Sequence, residues 1–532
     1  MDYLNFMLCF LLACVAIYLL STAKKGKEAN PKIQPPGPFP LPIFGNLFSL
    51  GAKAHVSLTE LARTYGPLMT LQLGQVPTVV ISSAVVAKEA LQKNDISFSS
   101  RKVSDAVRAL NHHQNSVVWL PAVAQWRNLR KICNSQVFSN SRLENSQNLR
   151  RHKLKDLISY VQTCSESGTA VDIGQAAFTT TLNLLSNTFF SVDLGDPISE
   201  FAREFKEVVR AILHEGGKPN FADYFPLLRK VDPQGIRRQM SIHFGKMVGI
   251  FNTMINQRLQ GQRQSESMQG NDVLDVLLGI NQDKPAEIEQ SKIPDLLVVP
   301  PLPPSPLKIH LVISSNGLHY SQFTHLNISF LQDLFTAGTD TTSSTLEWAM
   351  TELLCNSEKL KKAQAELEEI IGKGNPVEEP DISRLPYLQA IVKETFRLHP
   401  GVPLLLRKVD SDVRLFNYTV PKNAQVLVNV WAIQRDPEIW KEPNTFEPER
   451  FLGSEVDVKG RDFELIPFGA GRRICPGLPL ATRMLHLMLA SLIHGFDWKL
   501  EAGVSPENMD MGERFGLTLE KAQPLRAIPV RA

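Results

Sequence analysis

The sequence predicts one large, mainly helical domain with a minor β part. The chain has 532 residues, of which 43% are hydrophobic, so it can bury a large core. Apolar residues recur with helical spacing over most of the chain, whereas strand-like segments are few and short. No internal repeat is visible. We therefore place a single folded domain at residues 47–532.

The elements can be assigned in chain order. Two segments near the start, residues 68–73 and 78–82, are rich in apolar and β-branched side chains and predict a short hairpin. Helices dominate the rest of the chain, and strand-like segments return late. Helical spacing is found at 85–93, 126–138, 200–213 and 272–280, and strands are expected at 404–406 and 426–430.

The first residues predict a membrane anchor. Residues 1–20 carry one charge, Asp2, and are long enough to cross a bilayer as a helix. Three lysines follow within 24–27, and positive charge marks the cytosolic side. We expect an uncleaved anchor at 1–23. A cleaved signal peptide is the alternative, but it would require a basic start.

Residues 24–46 predict a basic and proline-rich linker. Residues 34–46 contain five prolines and two glycines. Proline fixes its own φ and makes the preceding residue extended, so this segment should be stiff.

Charge and cysteine content exclude several classes of function. The net charge is +3, and no basic run is interleaved with aromatic residues, so we expect no nucleic-acid partner. The six cysteines include no CxxC pair, and those outside the apolar leader are far apart in sequence. A disulfide scaffold and a structural zinc site are therefore not expected.

One cysteine, Cys475, lies in the stretch PFGAGRRICPG, residues 467–477. Arg472 and Arg473 supply positive charge, and a helical pattern begins at Leu478. Positive charge and the free N–H groups of a helix N-terminus favour a thiolate, so a depressed thiol pKa is expected. A buried, inert cysteine in a glycine-rich turn is the alternative.

The spacing in this stretch resembles FxxGxRxCxG, the haem-binding signature of the cytochromes P-450. The matching residues are Phe468, Gly471, Arg473, Cys475 and Gly477, and the resemblance covers nearly the whole chain. It implies the cytochrome P-450 fold and a haem cofactor with Cys475 as the axial thiolate of the iron. It also assigns Phe468 and Arg473 to cofactor binding, Arg473 through a haem propionate. A thiolate ligand favours O–O cleavage.

A second motif is AGTDTT, residues 337–342, which precedes a clear helical pattern. One interpretation is that Asp340 or Thr341 is the N-cap of that helix. The motif also resembles the family's oxygen-binding motif, which lies in the middle of a long distal helix. This resemblance implies that Gly338 leaves space above the iron, and that Asp340 and Thr341 relay protons to bound oxygen.

Three more residues are assigned to haem propionates by the resemblance. Trp126 and Arg130 stand four apart on one helical face, where amphipathic packing alone is the alternative. Arg407 ends the stretch HPGVPLLLR, which is one proline shorter than in relatives. Because a missing residue beside a strand can turn the following side chains to the opposite face, the direction of Arg407 is left open.

Opposite charges at Glu394 and Arg397 are three residues apart, a spacing that is typical of a weak surface pair on a helix. Together with Arg450 downstream, they resemble the family's Glu-Arg-Arg triad. The resemblance implies a structural role behind the haem.

Further stretches resemble the plant microsomal branch that hydroxylates monoterpenols such as geraniol and other terpenoids. They are residues 220–228, 231–238, 346–354 and 462–481. The resemblance implies a monooxygenase at the endoplasmic reticulum membrane, with its catalytic domain in the cytosol. It would use O2 and electrons from an NADPH-cytochrome reductase.

The expected pocket walls are apolar and suit a small apolar substrate. They are residues 117–120, 336–339, 402–405 and 515–517. A haem-thiolate isomerase or dehydratase is the alternative function. Such relatives tend to lose the distal alcohol, which this chain retains as Thr341.

Residues 294–328 have no counterpart in the family pattern. Lys308 is the only charged residue between Asp295 and Asp333, and the prolines of 300–306 favour an extended chain. We expect an irregular insertion that leaves the haem pocket intact. A membrane-contacting loop and an inactive variant of the enzyme are the alternatives.

Overall fold

A computed structural model describes residues 33–196, 199–264, 272–274 and 317–531. Most of these residues are helical and a minority form short strands, as the sequence predicts. The predicted anchor at 1–23 lies outside the described residues. Among the residues described, no helix is long and apolar enough to cross a membrane.

The α-helices vary from single turns to the long α10. They are α1 Ala54–Tyr65, α2 Ala84–Lys88, α3 Ala124–Ile132, α4 Asn140–Asn145, α5 Gln147–Ser167, α6 Ile173–Phe190, α7 Glu200–Gly217, α8 Phe221–Tyr224, α9 Ile236–Gln264, α10 Gly317–Cys355, α11 Ser357–Ile371, α12 Pro386–Leu398, α13 Val430–Ile433 and α14 Leu478–Gly495. Two π-helical turns, Glu89–Lys93 and Cys133–Val137, extend α2 and α3. The helices predicted at 85–93, 126–138 and 200–213 are thus confirmed. The helix predicted at 272–280 lies mostly outside the described residues.

The strands form four small sheets. They are β1 Leu68–Leu73, β2 Val76–Ile81, β3 Val171–Asp172, β4 Leu404–Lys408, β5 Val413–Leu415, β6 Tyr418–Val420, β7 Gln425–Asn429, β8 Phe496–Leu500, β9 Glu513–Phe515, β10 Leu519–Lys521 and β11 Arg526–Arg531. The largest sheet has the order β1-β2-β7-β4, with β1 and β2 as the predicted hairpin and β2 parallel to β7. Strand β4 is antiparallel to β7, which pairs Arg407 with Val426.

Helix α10 passes through the centre of the molecule. It contacts α6, α7, α9, α12 and α14. One buried apolar cluster joins α10 to α5, α6, α11, α12 and α14. A second cluster joins it to α3, α6, α7 and α9. The two largest parts of the core therefore meet along this helix.

Threonine hydroxyls of α10 bond to the helix itself. The hydroxyls of Thr339 and Thr341 donate to the carbonyls of Phe335 and Ala337, each at 2.7 Å. The hydroxyls of Thr345 and Thr351, further along the helix, likewise donate to the carbonyls of Thr341 and Glu347. Because a buried hydroxyl needs a partner, this bonding allows a threonine-rich helix to lie in the core.

The extent of α10 corrects one expectation. The helix begins at Gly317, so the expectation of irregular structure up to residue 328 is wrong for residues 317–328. No proline occurs between residues 307 and 355, so the hydrogen-bonded helix can continue toward the N-terminus. Residues 294–316 lie outside the described residues, and the insertion itself stays a prediction.

Helix α12 is locked to the segment that follows it by a buried charge network. Arg397 donates two hydrogen bonds to the carboxylate of Glu394, at 2.6 and 2.7 Å, and both side chains are fully buried. Arg450 donates to the same carboxylate at 3.1 Å. Arg397 also donates to the carbonyls of Gln434 and Pro443. The weak surface pair considered for this spacing is therefore wrong, because tertiary packing buries the pair.

We expect Arg397→Met to destabilise the protein strongly. Breaking a buried pair leaves an uncompensated charge, which costs about 3–5 kcal/mol. The midpoint of urea denaturation, followed by tryptophan fluorescence, should fall accordingly.

The matched control is Arg63→Met, which breaks an exposed pair with Glu60 at the same spacing. Exposed pairs contribute about 0.2–1 kcal/mol, so its midpoint should hardly move. Equal shifts for the two variants would contradict a dominant role of the buried network.

Candidate active site

A cavity of about 360 Å³ separates α10 from the loop that precedes α14. Its walls are mostly apolar and come from the predicted segments around Val117, Thr336 and Val402. Leu517 also lines it, whereas Phe515 stacks on His55 at 5.2 Å instead. Walls that the sequence did not indicate come from α7 and α9, through Ile212, Leu213, Met240 and Phe244.

Cys475 lines this cavity from the loop before α14. Its backbone N–H donates to the carbonyl of Phe468 at 3.0 Å, which closes the loop. Gly471 has a positive φ of 68°, and a Cβ there would lie 2.1 Å from the carbonyl oxygen of Leu91. Only glycine fits this approach. The glycine-rich sequence therefore serves to place the thiol.

The protonation of Cys475 corrects the sequence-based expectation. Burial raises the pKa of the thiol, while the backbone amides of Gly477 and Leu478 and the charge of Arg130 lower it. Burial outweighs these contributions, so the predicted depression of the pKa is wrong for the protein chain alone. A metal ion bound to the sulfur is the agent that deprotonates such a thiol.

Four arginines surround one side of the cavity: Arg101, Arg130, Arg407 and Arg473. Arg473 donates to the carbonyl of Ser99 at 2.7 Å, and Arg407 to that of Leu406 at 2.9 Å. Arg101 donates to the carbonyl of Val118 at 3.1 Å, and its Nε has no partner. None of the hydrogen bonds described for these four side chains reaches a carboxylate.

The charges of these arginines are compensated only in part, and Asp333 attracts only Arg101 among the four. Burial lowers the pKa of Arg101 to about 10 and that of Arg473 to about 9. Burial, with the neighbouring Arg101 and Arg473, lowers the pKa of Arg407 well below its ordinary value. Burial also lowers the pKa of Arg130. An anionic ligand in the cavity would relieve all four shifts.

The direction of Arg407 is settled by the sheet. Arg407 lies in β4 and pairs with Val426 of β7. Its side chain is buried and lines the cavity together with Arg473. The shorter proline segment therefore does not turn it away. Arg101 was missed by the sequence reasoning, because no motif marks it. It reaches the cavity since the neighbouring Ser100 accepts a backbone hydrogen bond from Lys408 at the end of β4.

Trp126 lies in α3 under this arginine group. Its indole N–H donates to the carbonyl of Val117 at 3.0 Å, and the guanidinium of Arg473 lies 4.2 Å from its ring centroid. The ring thus supports Arg473 by a cation–π contact. A direct bond from Trp126 to a propionate stays a prediction.

Asp340 and Thr341 lie in the middle of α10, which excludes the N-cap interpretation. Thr341 lines the cavity. Asp340 is buried, and its Oδ2 accepts a hydrogen bond from the hydroxyl of Thr518 at 3.0 Å. Burial raises the pKa of Asp340 to about 6. Thr518, which the sequence did not indicate, thus orients a carboxyl group that can exchange a proton near neutral pH.

Gly338 has a structural reason beyond the predicted one. A Cβ at this position would lie 2.9 Å from Cδ1 of Leu185 in α6. The absence of a side chain therefore lets α10 pack closely on α6, in addition to exposing backbone to the cavity.

The residues present fit a haem. A thiol on one wall, glycine backbone around it and apolar side chains suit a flat apolar ring system with a central metal. A Cβ at Gly477 would lie 3.8 Å from the sulfur of Cys475. The four arginines, without carboxylate partners, suit the two propionates.

Comparison with known proteins decides the family. The family model described as Cytochrome P450 matches residues 35–297 and 309–526. This chain belongs to the cytochrome P450 family. The predicted family and fold are confirmed. Residues 298–308, between the two matched ranges, fall inside the predicted insertion.

The P450 chain is similar to plant hydroxylases over almost its whole length. It is 54% identical to geraniol 8-hydroxylase of Swertia mussotii, over 93% of each chain. It is 52% identical to geraniol 8-hydroxylase of Catharanthus roseus, over 99% of each chain. It is also 52% identical to drimenol monooxygenase of Persicaria hydropiper, over 99% of this chain and 97% of the relative. The prediction of a monooxygenase is confirmed.

We expect Cys475→Ala to abolish stable haem incorporation while the P450 chain still accumulates. Haem content per protein, and the absorption spectrum of the reduced carbon-monoxide complex, report this directly. Cys355→Ala is the control, because Cys355 is also a free thiol but lies outside the cavity wall. A thiolate-type spectrum from Cys475→Ala at full haem content would refute the ligand assignment.

Proposed function

We propose that this P450 is a haem-thiolate monooxygenase that hydroxylates small terpenoids, with a monoterpenol such as geraniol as the first substrate to test. The observation that carries the proposal is one mostly apolar cavity that brings together Cys475, Thr341 and four arginines whose described hydrogen bonds reach no carboxylate. The names of the relatives, two geraniol hydroxylases and a drimenol monooxygenase, support the substrate class.

In this proposal, Cys475 would bind the haem iron through its sulfur. Arg101, Arg130, Arg407 and Arg473 hold the propionates, with Trp126 beneath Arg473, and Phe468 lies in the ligand-bearing loop. When bound, the haem supplies oxygen activation with electrons from an NADPH-cytochrome reductase. The charge-assisted hydrogen bonds of the arginines would then replace weak bonds to backbone carbonyls.

We propose that Thr341, at the cavity wall, and Asp340, which is buried behind it and does not line the cavity, handle protons. The Thr341 hydroxyl is a donor and acceptor in the cavity, and its bond to the Ala337 carbonyl shows how its proton is held at rest. Asp340, held by Thr518, is the neighbouring acid, and its pKa of about 6 suits proton donation near neutral pH. The apolar walls exclude bulk water, so protons should arrive mainly through such groups.

The substrate is proposed to lie against the apolar side chains above Cys475. Val118, Leu213, Val402, Leu405 and Leu517 offer contacts without fixed charge. A pocket of this kind favours a small hydrocarbon skeleton but discriminates weakly between closely similar ones.

Membrane association is proposed to combine the anchor at 1–23 with an apolar surface. Phe39 and Leu227 are 78% and 83% exposed. Their segments meet where the ring centroid of Phe44 lies 6.1 Å from that of Phe225. Large exposed apolar patches mark interaction surfaces. This surface suits the endoplasmic reticulum membrane, with the catalytic domain on its cytosolic side.

The decisive experiment is turnover in microsomes that also contain a plant NADPH-cytochrome reductase. Geraniol should give a hydroxylated product that requires NADPH, O2 and the P450. A correctly folded, haem-loaded protein that converts neither geraniol nor drimenol would contradict the assignment of terpenoids as substrates. Conversion of a hydroperoxide without NADPH would favour the isomerase alternative.

We expect Thr341→Ala to uncouple electron use from hydroxylation. Loss of a positioned proton donor should lower product per NADPH consumed by about tenfold, with the remainder appearing as hydrogen peroxide. Substrate binding should persist, because the methyl group of alanine leaves the cavity apolar.

Thr339→Ala is the matched control for this prediction. Thr339 lies on the same helix and makes the same bond to the preceding turn, but it does not line the cavity. Thr341→Ser should restore much of the coupling. Unchanged coupling in Thr341→Ala would remove this hydroxyl from the proton relay.

We expect removal of residues 1–23 to release only part of the protein from membranes. Most of the remaining association should disappear when Phe39 and Leu227 are also changed to serine, because these are the two most exposed large apolar side chains in the described part of the chain. The pelleted fraction after a high-salt wash measures both steps. Val504→Ser, at an exposed apolar side chain in another segment, should have no effect. Full solubility of the intact chain would contradict the anchor.

A further inference from the structure

Besides the four arginines, the cavity wall carries a second cluster of polar side chains, which are buried. The cluster consists of His112, Ser116, Gln332 and Asp333, which are 4%, 0%, 3% and 6% exposed. His112, Gln332 and Asp333 line the cavity. Burying such groups beside apolar walls is unfavourable unless they are hydrogen-bonded, so their bonds define what they can do.

The imidazole of His112 is held on both sides. Its Nε2 lies 2.9 Å from Oδ1 of Asp333, and its Nδ1 lies 3.2 Å from Oε1 of Gln332. The amide of Gln332 is fixed in this direction because its Nε2 donates to the carbonyl of Phe244 at 3.1 Å. Both ring nitrogens are therefore within hydrogen-bonding distance of an oxygen atom, which fixes the orientation of the ring.

The carboxylate of Asp333 is also partly engaged by the facing loop. Its Oδ2 accepts hydrogen bonds from the hydroxyl of Ser116 at 2.7 Å and from the backbone N–H of Val118 at 3.3 Å. These bonds hold the loop around residues 112–118 against α10. The cluster thus has a structural role, but that role does not use all of its hydrogen-bonding capacity.

The unused capacity is specific. Gln332 Nε2 has two hydrogens, and the carbonyl of Phe244 takes one of them. Asp333 Oδ1 faces only His112 among the described hydrogen bonds and has a second lone pair. One donor and one acceptor, on adjacent residues of α10, are what an alcohol group needs.

The position of the cluster suits an elongated alcohol. Asp333 precedes Thr341 by two turns of α10, which is about 12 Å along a helix axis. A hydroxyl bound at Asp333 would let the carbon chain extend along α10, so that the far end lies near Thr341 and Cys475. In geraniol, position 8 is at the opposite end of the chain from the hydroxyl, and two relatives are named for hydroxylation there.

We propose that Gln332 and Asp333 form a binding site for the hydroxyl group of an alcohol substrate, and that this site selects the carbon to be oxidised. The inference rests on the proposed terpenoid hydroxylation and adds the feature of the substrate that is recognised. Gln332 and Asp333 are positioning residues, since they act at the end of the substrate remote from the reaction.

Gln332→Met tests the proposal with two substrates. Methionine has a similar length but donates no hydrogen bond. The substrates are geraniol and the hydrocarbon with the same carbon skeleton but no hydroxyl. Dissociation constants come from the spectral change of the haem-loaded protein on titration, and KM and product positions from turnover with the reductase.

For geraniol, we expect Gln332→Met to raise both constants roughly tenfold, as for a lost hydrogen bond in a buried site. Hydroxylation should also spread over more carbons. The hydrocarbon should show unchanged constants and an unchanged product pattern. Equal losses of affinity for both substrates would show that the cluster only stabilises the fold. No loss of affinity for either substrate would refute the contact with the hydroxyl group.

Ser116→Ala is the matched variant for the structural role. Ser116 binds Asp333 but does not line the cavity, so its loss should affect geraniol and the hydrocarbon to the same extent. A geraniol-selective loss in Ser116→Ala that equals the loss in Gln332→Met would overturn the proposal.

The binding titration separates the two levels of inference. If the haem-loaded protein binds geraniol in a Gln332-dependent way but forms no product, the hydroxyl site stands and the proposed reaction fails. If geraniol is hydroxylated and Gln332→Met leaves the constants and products of both substrates unchanged, the proposed reaction is supported and the hydroxyl site is refuted.

Discussion

The removal of four guanidinium groups from water around one cavity is the constraint on which the active-site region depends. Arg101, Arg130, Arg407 and Arg473 come from four different segments: a loop, helix α3, strand β4 and the loop before α14. None of their described hydrogen bonds reaches a carboxylate. An anionic ligand that neutralises them would hold these four segments together. Ligand binding then contributes to folding stability, because only the folded chain gathers the four charges.

The charge of the Cys475 thiol also depends on the ligand, but here the charge is negative. Burial raises the pKa of Cys475, although helix α14 and the nearby arginines oppose this effect. The chain alone therefore prepares a neutral thiol in the right place, and a bound metal completes the ligand. Positive charge on one side and a latent negative charge on the other are both balanced by one cofactor. The loop that carries the thiol is held in place by close packing, because a side chain at Gly471 would collide with the backbone of Leu91.

The sequence predicted those parts of the molecule that depend on local pattern. The hairpin β1–β2, the helices at 126–138 and 200–213, and the loop of Cys475 follow from spacing and turn chemistry. Arg101 and Thr518 could not be found in this way, because long-range packing brings them to the cavity. The same limit applied to Glu394 and Arg397, whose spacing is typical of a surface pair but whose burial is decided by residues far along the chain. The start of α10 could not be placed from the sequence. The helix begins at Gly317, after the last proline of the segment 300–306, and composition does not mark this boundary.

Four threonine hydroxyls of α10 find their hydrogen-bond acceptors within the helix, and this has a consequence for evolution. Each of these hydroxyls donates to the carbonyl of the residue four positions earlier, so it needs no hydrogen-bond partner on a neighbouring helix. Replacing one of these threonine hydroxyls by a methyl group therefore leaves no group on another helix without its hydrogen-bond partner. Residues that face the cavity can diversify while the packing around them is conserved. A lineage of such enzymes can thus acquire new chemistry along its central helix without first redesigning its core.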